Sequence, residues 1–160
     1  MESLCIETLF GCVQIRAQAD CIVSVDFVNS APATNSTSSE ILLRAQKQLN
    51  DYCEQSQSGF DLPLQLRGTV FQQRVWQALL AIPPGEVRTY GDLARLLDSS
   101  PRAIGGACRA NPAPIIVPCH RVVSRNGMGG YSGETTGVNM QIKQGLLRHE
   151  GVEFPARGPI

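Results

Sequence analysis

The stretch from Asn111 to Val123, Asn-Pro-Ala-Pro-Ile-Ile-Val-Pro-Cys-His-Arg-Val-Val, constrains the fold more than any other part of the chain. Its apolar run, Ile115 to Val117, has the length and β-branching of a buried strand rather than a surface helix. Pro118 lacks a backbone donor and ends sheet pairing. A thiol, an imidazole and a guanidinium then follow in consecutive positions, at Cys119, His120 and Arg121. A cysteine beside an apolar run is most often a small buried hydrophobe. A reactive one needs positive charge, a base or a helix N-terminus to lower its pKa, and here His120 and Arg121 adjoin it. Neighbours in sequence need not face one another, so both readings stand at this point.

At 160 residues the chain has the size of one domain, or of one domain with a small partner, and its 42% hydrophobic content supports a core. No run approaches the roughly 18 apolar residues of a membrane span, so no membrane partner is expected. The chain opens with Glu2 in second place and no basic flank before an apolar core. The expectation is a cytoplasmic protein, or a nuclear one in a cell with a nucleus. Cysteines stand at Cys5, Cys12, Cys21, Cys53, Cys108 and Cys119 without a Cys-x-x-Cys pair, and the only histidines are His120 and His149. That pattern reads as reduced thiols rather than a disulfide framework.

Formal net charge is zero, which by itself argues against a strong nucleic-acid binder. Its distribution is uneven. Residues 1–60 carry three basic and seven acidic side chains, and residues 61–160 carry eleven basic and seven acidic. Between Arg88 and Arg125 six arginines face only Asp92 and Asp98. Such a patch can engage phosphates locally, with salt-sensitive affinity.

Taken in order, residues 4–28 alternate in two apolar groups separated by turn signals at Gly11 and Gln18-Ala19-Asp20, a small antiparallel hairpin or meander. Asn29 to Ser39 is a polar loop. Glu40 to Glu54 places Ile41, Leu42, Ala45, Leu49 and Tyr52 at helical spacing, with Ser39 as cap. Phe60 to Leu66 reads as a possible strand. Thr69 then caps a helix from Val70 to about Ile82, with Phe71, Val75, Trp76, Leu79 and Leu80 on one face, ended by Pro83-Pro84-Gly85. Two short helices follow, Gly91 to Asp98 and Pro101 to about Ala110, separated by Ser99-Ser100. The second is small-sided, so its backbone can approach another surface closely, with Arg102 and Arg109 flanking. Ser124-Arg125-Asn126-Gly127 reads as a turn. Met128 to Gly133 is glycine-rich and suits a wall beside a flat ligand. Lys143 to Glu150 forms a terminal helix with Leu146 and Leu147 inward and Gly151 as its stop. Residues 152–160 read as a loose tail.

These elements predict an α+β protein. Residues 1–66 form a small structural domain of a short antiparallel sheet plus one helix. Residues 67–160 form a mainly helical domain, with a helix-turn-helix at about 91–110 and the Pro-Cys-His-Arg motif at 118–121.

Asn-Pro-x-Pro, three branched aliphatics and Pro-Cys-His-Arg-Val-Val resemble the active-site signature of the O6-alkylguanine-DNA alkyltransferases, also called methylated-DNA–protein-cysteine methyltransferases. Gly68 to Trp76, Pro84 to Tyr90, Arg102-Ala103-Ile104-Gly105 and His149-Glu150-Gly151 match the same pattern, which covers nearly the whole chain. The resemblance implies DNA repair by direct reversal. O6-alkylguanine, and O4-alkylthymine, are flipped out of double-stranded DNA bound through its minor groove, and the alkyl group passes irreversibly to Cys119. It implies His120 as base through a water and Glu150 as the carboxylate that orients it. Tyr90, Val117, Tyr131 and Ser132 would contact the base. Asn111 would brace the turn between the second helix and the active-site strand. Arg102 would fill the gap left by the rotated base, and Ala103, Gly105, Arg109 and Arg121 would meet DNA. A thioether is neither basic nor a good leaving group, so each molecule, a monomer, acts once. Members with a structural zinc hold it with N-terminal histidines that this chain lacks, so no metal is expected, and the one-step transfer calls for no cofactor. The sequence departs from the common pattern at Glu134 to Gln141, about five residues longer.

Three other readings compete. A non-reacting relative that only binds alkylated DNA would lack the reactive cysteine. A helix-turn-helix regulator would carry base-edge readers along its second helix, where this one has Ala and Gly. A cysteine hydrolase on Cys119 and His120 would turn over repeatedly, and adjacent residues make a poor direct pair.

Overall fold

The computed structural model describes residues 1–125, 127 and 138–152. The chain is α+β and divides into two compact units at the Arg67/Gly68 junction. In the first unit, β1 (Glu2–Thr8), β2 (Gly11–Gln18) and β3 (Cys21–Val28) form an antiparallel sheet in the order β1-β2-β3. The β2–β3 turn holds Ala19 and Asp20 at φ 53° and 64°, the paired left-handed geometry whose twist matches that of the flanking strands. Helix α1 (Glu40–Glu54), capped by the Ser39 side chain, packs on the sheet through Ile41, Leu42, Ala45, Leu49 and Tyr52. Opposite them lie Leu4, Ile6, Val13, Ile15, Ile22 and Val25. The strand expected at Phe60 to Leu66 is absent; the segment makes only an isolated parallel bridge between Leu64 and Ile22. Pro63 can accept there, taking the Ile22 N–H at 2.8 Å, but has no N–H to extend a ladder.

The second unit starts with α2 (Val70–Leu80), closed by a capping box between Thr69 and Gln72. It ends two residues before Ile82, ahead of the proline pair, and its last residue, Leu80, is exposed rather than inward. Trp76, Val75 and Leu79 fill the core beneath it. A two-residue strand β4 (Arg88–Thr89) leads into α3 (Tyr90–Leu97), whose N-terminus is closed by a second capping box, Thr89 with Asp92. Asp98 turns the chain in the left-handed region at φ 55°. Ser100 then caps α4 (Pro101–Arg109), with proline in the first turn where its missing N–H costs nothing. Helix α4 packs on both α2 and α3. After it come a single 3-10 turn, Cys119–Arg121, strand β5 (Val122–Val123) and helix α5 (Val138–His149).

Three features of this unit differ from the sequence reading. β4 and β5 pair in parallel, Arg88 with Val122 and Thr89 with Val123, a contact too short to leave a periodicity. Helix α5 begins at Val138 rather than Lys143, so part of the longer segment after Gly133 is helical. Ile115 to Val117, expected as a strand, is a buried turn. The backbone groups of Val117 are satisfied locally. The Val117 N–H donates to Ala113 O at 2.8 Å, and Val117 O accepts from the Asn111 side chain and from the Cys119 N–H, both at 2.8 Å. That leaves the Val117 peptide groups nothing to give a ladder. Ile115 is held at φ 76°, a strained setting for a β-branched residue.

Candidate active site

Pro118, at φ −82° and ψ 66°, is the centre of an inverse γ-turn that aims the chain into the Cys119–Arg121 turn. The proline therefore sets the direction of the cysteine rather than ending a strand. Asn111 holds the loop from the other side. Its Nδ2 donates to Val117 O at 2.8 Å and its Oδ1 accepts from the Ala113 N–H at 2.9 Å. Cys119 is 8% exposed. Burial pushes its thiol above the ordinary value, while the nearby Asn111 amide and the Lys143 charge pull it back.

His120, Arg121 and Glu150 form one buried cluster. Glu150 Oε2 lies 2.8 Å from His120 Nε2, and the Arg121 guanidinium grips both carboxylate oxygens, Nε on Oε1 and Nη2 on Oε2, each at 2.9 Å. Arg121 Nη1 donates to Ile82 O at 2.6 Å. Burial raises the Glu150 carboxyl, but its His120 and Arg121 partners outweigh that and hold it well below the carboxylate range. Burial pushes the His120 imidazole down, against the Glu150 bond. A neutral imidazole beside an ionised carboxylate donates through Nε2–H, which leaves Nδ1 as the basic lone pair. Nδ1 is buried with no hydrogen-bond partner among the described residues.

The expected DNA contact through Arg121 is overturned: the side chain is 6% exposed and committed to Glu150 and Ile82. An arginine ends up inside because the planar guanidinium can match a carboxylate at two points while a third nitrogen takes a carbonyl. Val117 is corrected as well. Its carbonyl already accepts twice, and the residue is fully buried, so it has no lone pair to offer a base.

Tyr90, at the first position of α3, is half-buried with its ring against α4; a Cβ at Gly105 would lie 3.9 Å from Tyr90 Cε1. Helix α4 turns Ile104 and Ala107 inward. Arg102 and Arg109 are exposed, Gly105 and Gly106 lie between them at helical spacing, and a Cβ at Gly106 would meet nothing within 4 Å. Its outward stripe is thus bare backbone between two guanidinium groups, with Ala103 half-buried at its edge. The indole of Trp76 fixes the helix from inside, donating to Ala107 O at 2.9 Å. Tyr131 and Ser132 lie outside the described residues, as do most of the glycine-rich segment, Asn126 of the expected turn and residues 153–160 of the expected tail. No group of His, Cys, Asp and Glu able to hold a metal occurs among the described residues.

One residue escaped the sequence reading. Lys143 is fully buried on α5 and donates to Val122 O at 2.8 Å. The signal was there: Lys143, Leu146, Leu147 and Glu150 share one helical face, so the inward stripe of α5 runs from a lysine to a glutamate.

Residues 70–152 match the family described as 6-O-methylguanine DNA methyltransferase, DNA binding domain. Over 133 residues the chain is 41% identical to the constitutive methylated-DNA–protein-cysteine methyltransferase of Bacillus subtilis, covering 81% of this chain and 78% of that protein. The crystal structure of the O6-methylguanine methyltransferase of Mycobacterium tuberculosis superposes with a TM-score of 0.78 at 33% identity, over 99% of this chain and 94% of that one. A structure of the same organism's protein in complex with DNA gives a TM-score of 0.76 at 34% identity, over 94% of this chain and 93% of that one.

Proposed function

The chain belongs to the methylated-DNA–protein-cysteine methyltransferases, and from that membership we propose that it repairs O6-alkylguanine in duplex DNA by one irreversible transfer to Cys119. The observation that carries the reading is the buried row of Cys119, neutral His120 with its open Nδ1, and Glu150 clamped by Arg121. It has the logic of nucleophile, base and orienting carboxylate. Because Cys119 and His120 are consecutive, a water bridges sulfur and Nδ1. The thiol proton passes through it to the imidazole, whose charge Glu150 stabilises. Sulfur then bonds to the alkyl carbon, the carbon–oxygen bond breaks, and its electron pair stays with the guanine. Tyr90 donates a hydrogen bond to the ring as that charge develops.

DNA binding follows from α3 and α4 acting as a helix-turn-helix that presents α4 to the minor groove. The Gly105-Gly106 stripe permits close backbone approach, and Arg102 at the start of α4 plugs the stack as the base rotates out. Unstacking costs a few kcal/mol, offset by groove and pocket contacts. The protein acts as a monomer, once per molecule, because the thioether has no route back.

Intact-protein mass after incubation with excess duplex DNA containing O6-methylguanine tests this, with Cys119→Ala as control. The expected result is a gain of one methyl group per molecule, stopping there and absent in the control. Lesion binding without a mass gain would make the protein a recognition module. Neither binding nor mass gain would sink the repair reading altogether.

A further inference from the structure

The chain uses lysine only twice. Lys47 is on the exposed face of α1 beside Asp51, whereas Lys143 is wholly inside the second unit. Taking an ammonium out of water is costly unless something negative answers it. Lys143 Nζ is anchored on Val122 O at 2.8 Å, and the Val122 N–H in turn donates to Cys119 O. The amine is therefore tied to the peptide that closes the Cys-His-Arg turn.

Among the described residues, the titratable and charged groups gathered there are Cys108 from α4, Cys119, His120 and Arg121 from the turn, and Glu150 just past the end of α5. Glu150 is already held by His120 and Arg121. Burial drives the Lys143 amine down to about 8, opposed by Cys119 and then Cys108. The two sulfurs are not equivalent. Burial pushes the Cys108 thiol up to about 12, whereas at Cys119 the nearby Asn111 amide favours the charged form against burial.

We propose that Lys143 is a positioning residue for the transfer, its buried ammonium supplying the positive charge that holds the Cys119 sulfur as a thiolate while the alkyl group is attacked. This rests on Cys119 being the alkyl acceptor. It also accounts for the amine: a lysine is a compact point charge, where a guanidinium would need a forked set of acceptors.

The competing role is mechanical, Lys143 serving only to pin α5 to β5. A pH–rate profile separates the two. Methyl transfer from saturating duplex O6-methylguanine DNA is followed by intact mass in the wild-type protein and in Lys143→Met, which keeps the apolar stem. Loss of a thiolate partner moves the rising limb of the profile up by about one pH unit. The rate at neutral pH then falls about tenfold and recovers under alkaline conditions. A uniform loss at every pH, with the midpoint unchanged, would overturn the inference.

A second measurement needs no variant. In wild-type protein labelled with ¹³C at lysine Cε, Lys143 is titrated before and after methylation of Cys119, with Lys47 as the internal reference. Neutralising the sulfur should lower the Lys143 midpoint by about one unit; an unchanged midpoint refutes the pairing even if Lys143→Met does not fold. Failure of the wild-type protein to take up a methyl group would instead overturn the acceptor reading, and this inference with it.

Discussion

Replacing Glu150 by glutamine changes almost no volume but removes the one negative charge in the His120–Arg121 cluster. In the native protein that carboxylate, 3% exposed, accepts from Arg121 twice and sits 2.8 Å from His120 Nε2. The variant leaves a buried guanidinium with the Ile82 carbonyl and one glutamine oxygen as acceptors and no counter-charge on that side chain. Removing one partner of a buried ion pair costs about 3–5 kcal/mol. Glutamine retains one acceptor oxygen, so the expected loss is about 3 kcal/mol, a large part of the roughly 5–15 kcal/mol that holds a protein folded. Urea unfolding followed by fluorescence measures it directly, because Trp76 is the only tryptophan and lies 2% exposed in the same unit. The pH dependence has a definite sign. A carboxyl whose folded pKa is depressed stabilises fully above its unfolded value, 4.5 for Glu150, and the advantage over the variant shrinks as pH falls below it. Arg121→Leu with Glu150→Leu should cost less than the two single changes summed, since neither charge is then stranded. A Glu150→Gln protein within about 0.5 kcal/mol of wild type would refute the buried cluster.

Gly106→Ala should stabilise the protein by about 0.5–1 kcal/mol in thermal melts, because a Cβ there meets nothing within 4 Å and alanine favours the helix. The same change should weaken duplex binding in a gel-shift assay. Undiminished binding would remove the bare stripe of α4 from the DNA interface. Asn111→Ala deletes the bonds to Val117 O and the Ala113 N–H. Stability should fall by about 1–3 kcal/mol by denaturant unfolding. The methyl-transfer rate in the folded variant should fall as well, since the cysteine loses its brace.

Local signals were legible in the sequence wherever a few neighbouring residues settle the conformation. Ser39, Thr69 and Ser100 cap α1, α2 and α4 with their own hydroxyls, within three residues of the groups they satisfy. The tight turns of the meander and the proline in the first turn of α4 follow the same short-range rules. The Pro-Cys-His-Arg motif likewise singled out Cys119 and His120, and the His-Glu-Gly segment singled out Glu150, because they are chemical identities rather than placements.

What the tertiary structure alone decided is where polar groups go once they are enclosed. Ile115 to Val117 has a strand's composition, yet it turns, because Asn111 and the Cys119 N–H take the Val117 carbonyl that a neighbouring strand would have needed. Arg121 reads as one more cation in a basic stretch, and only the arrival of Glu150, 29 residues away, makes it an internal clamp. Lys143 looks like the surface lysine of a terminal helix until α5 docks and sets its ammonium on Val122. Composition gives a residue its capacity to bond. Burial, which depends on the partner found across the fold, determines whether that capacity is left to water or becomes part of the site.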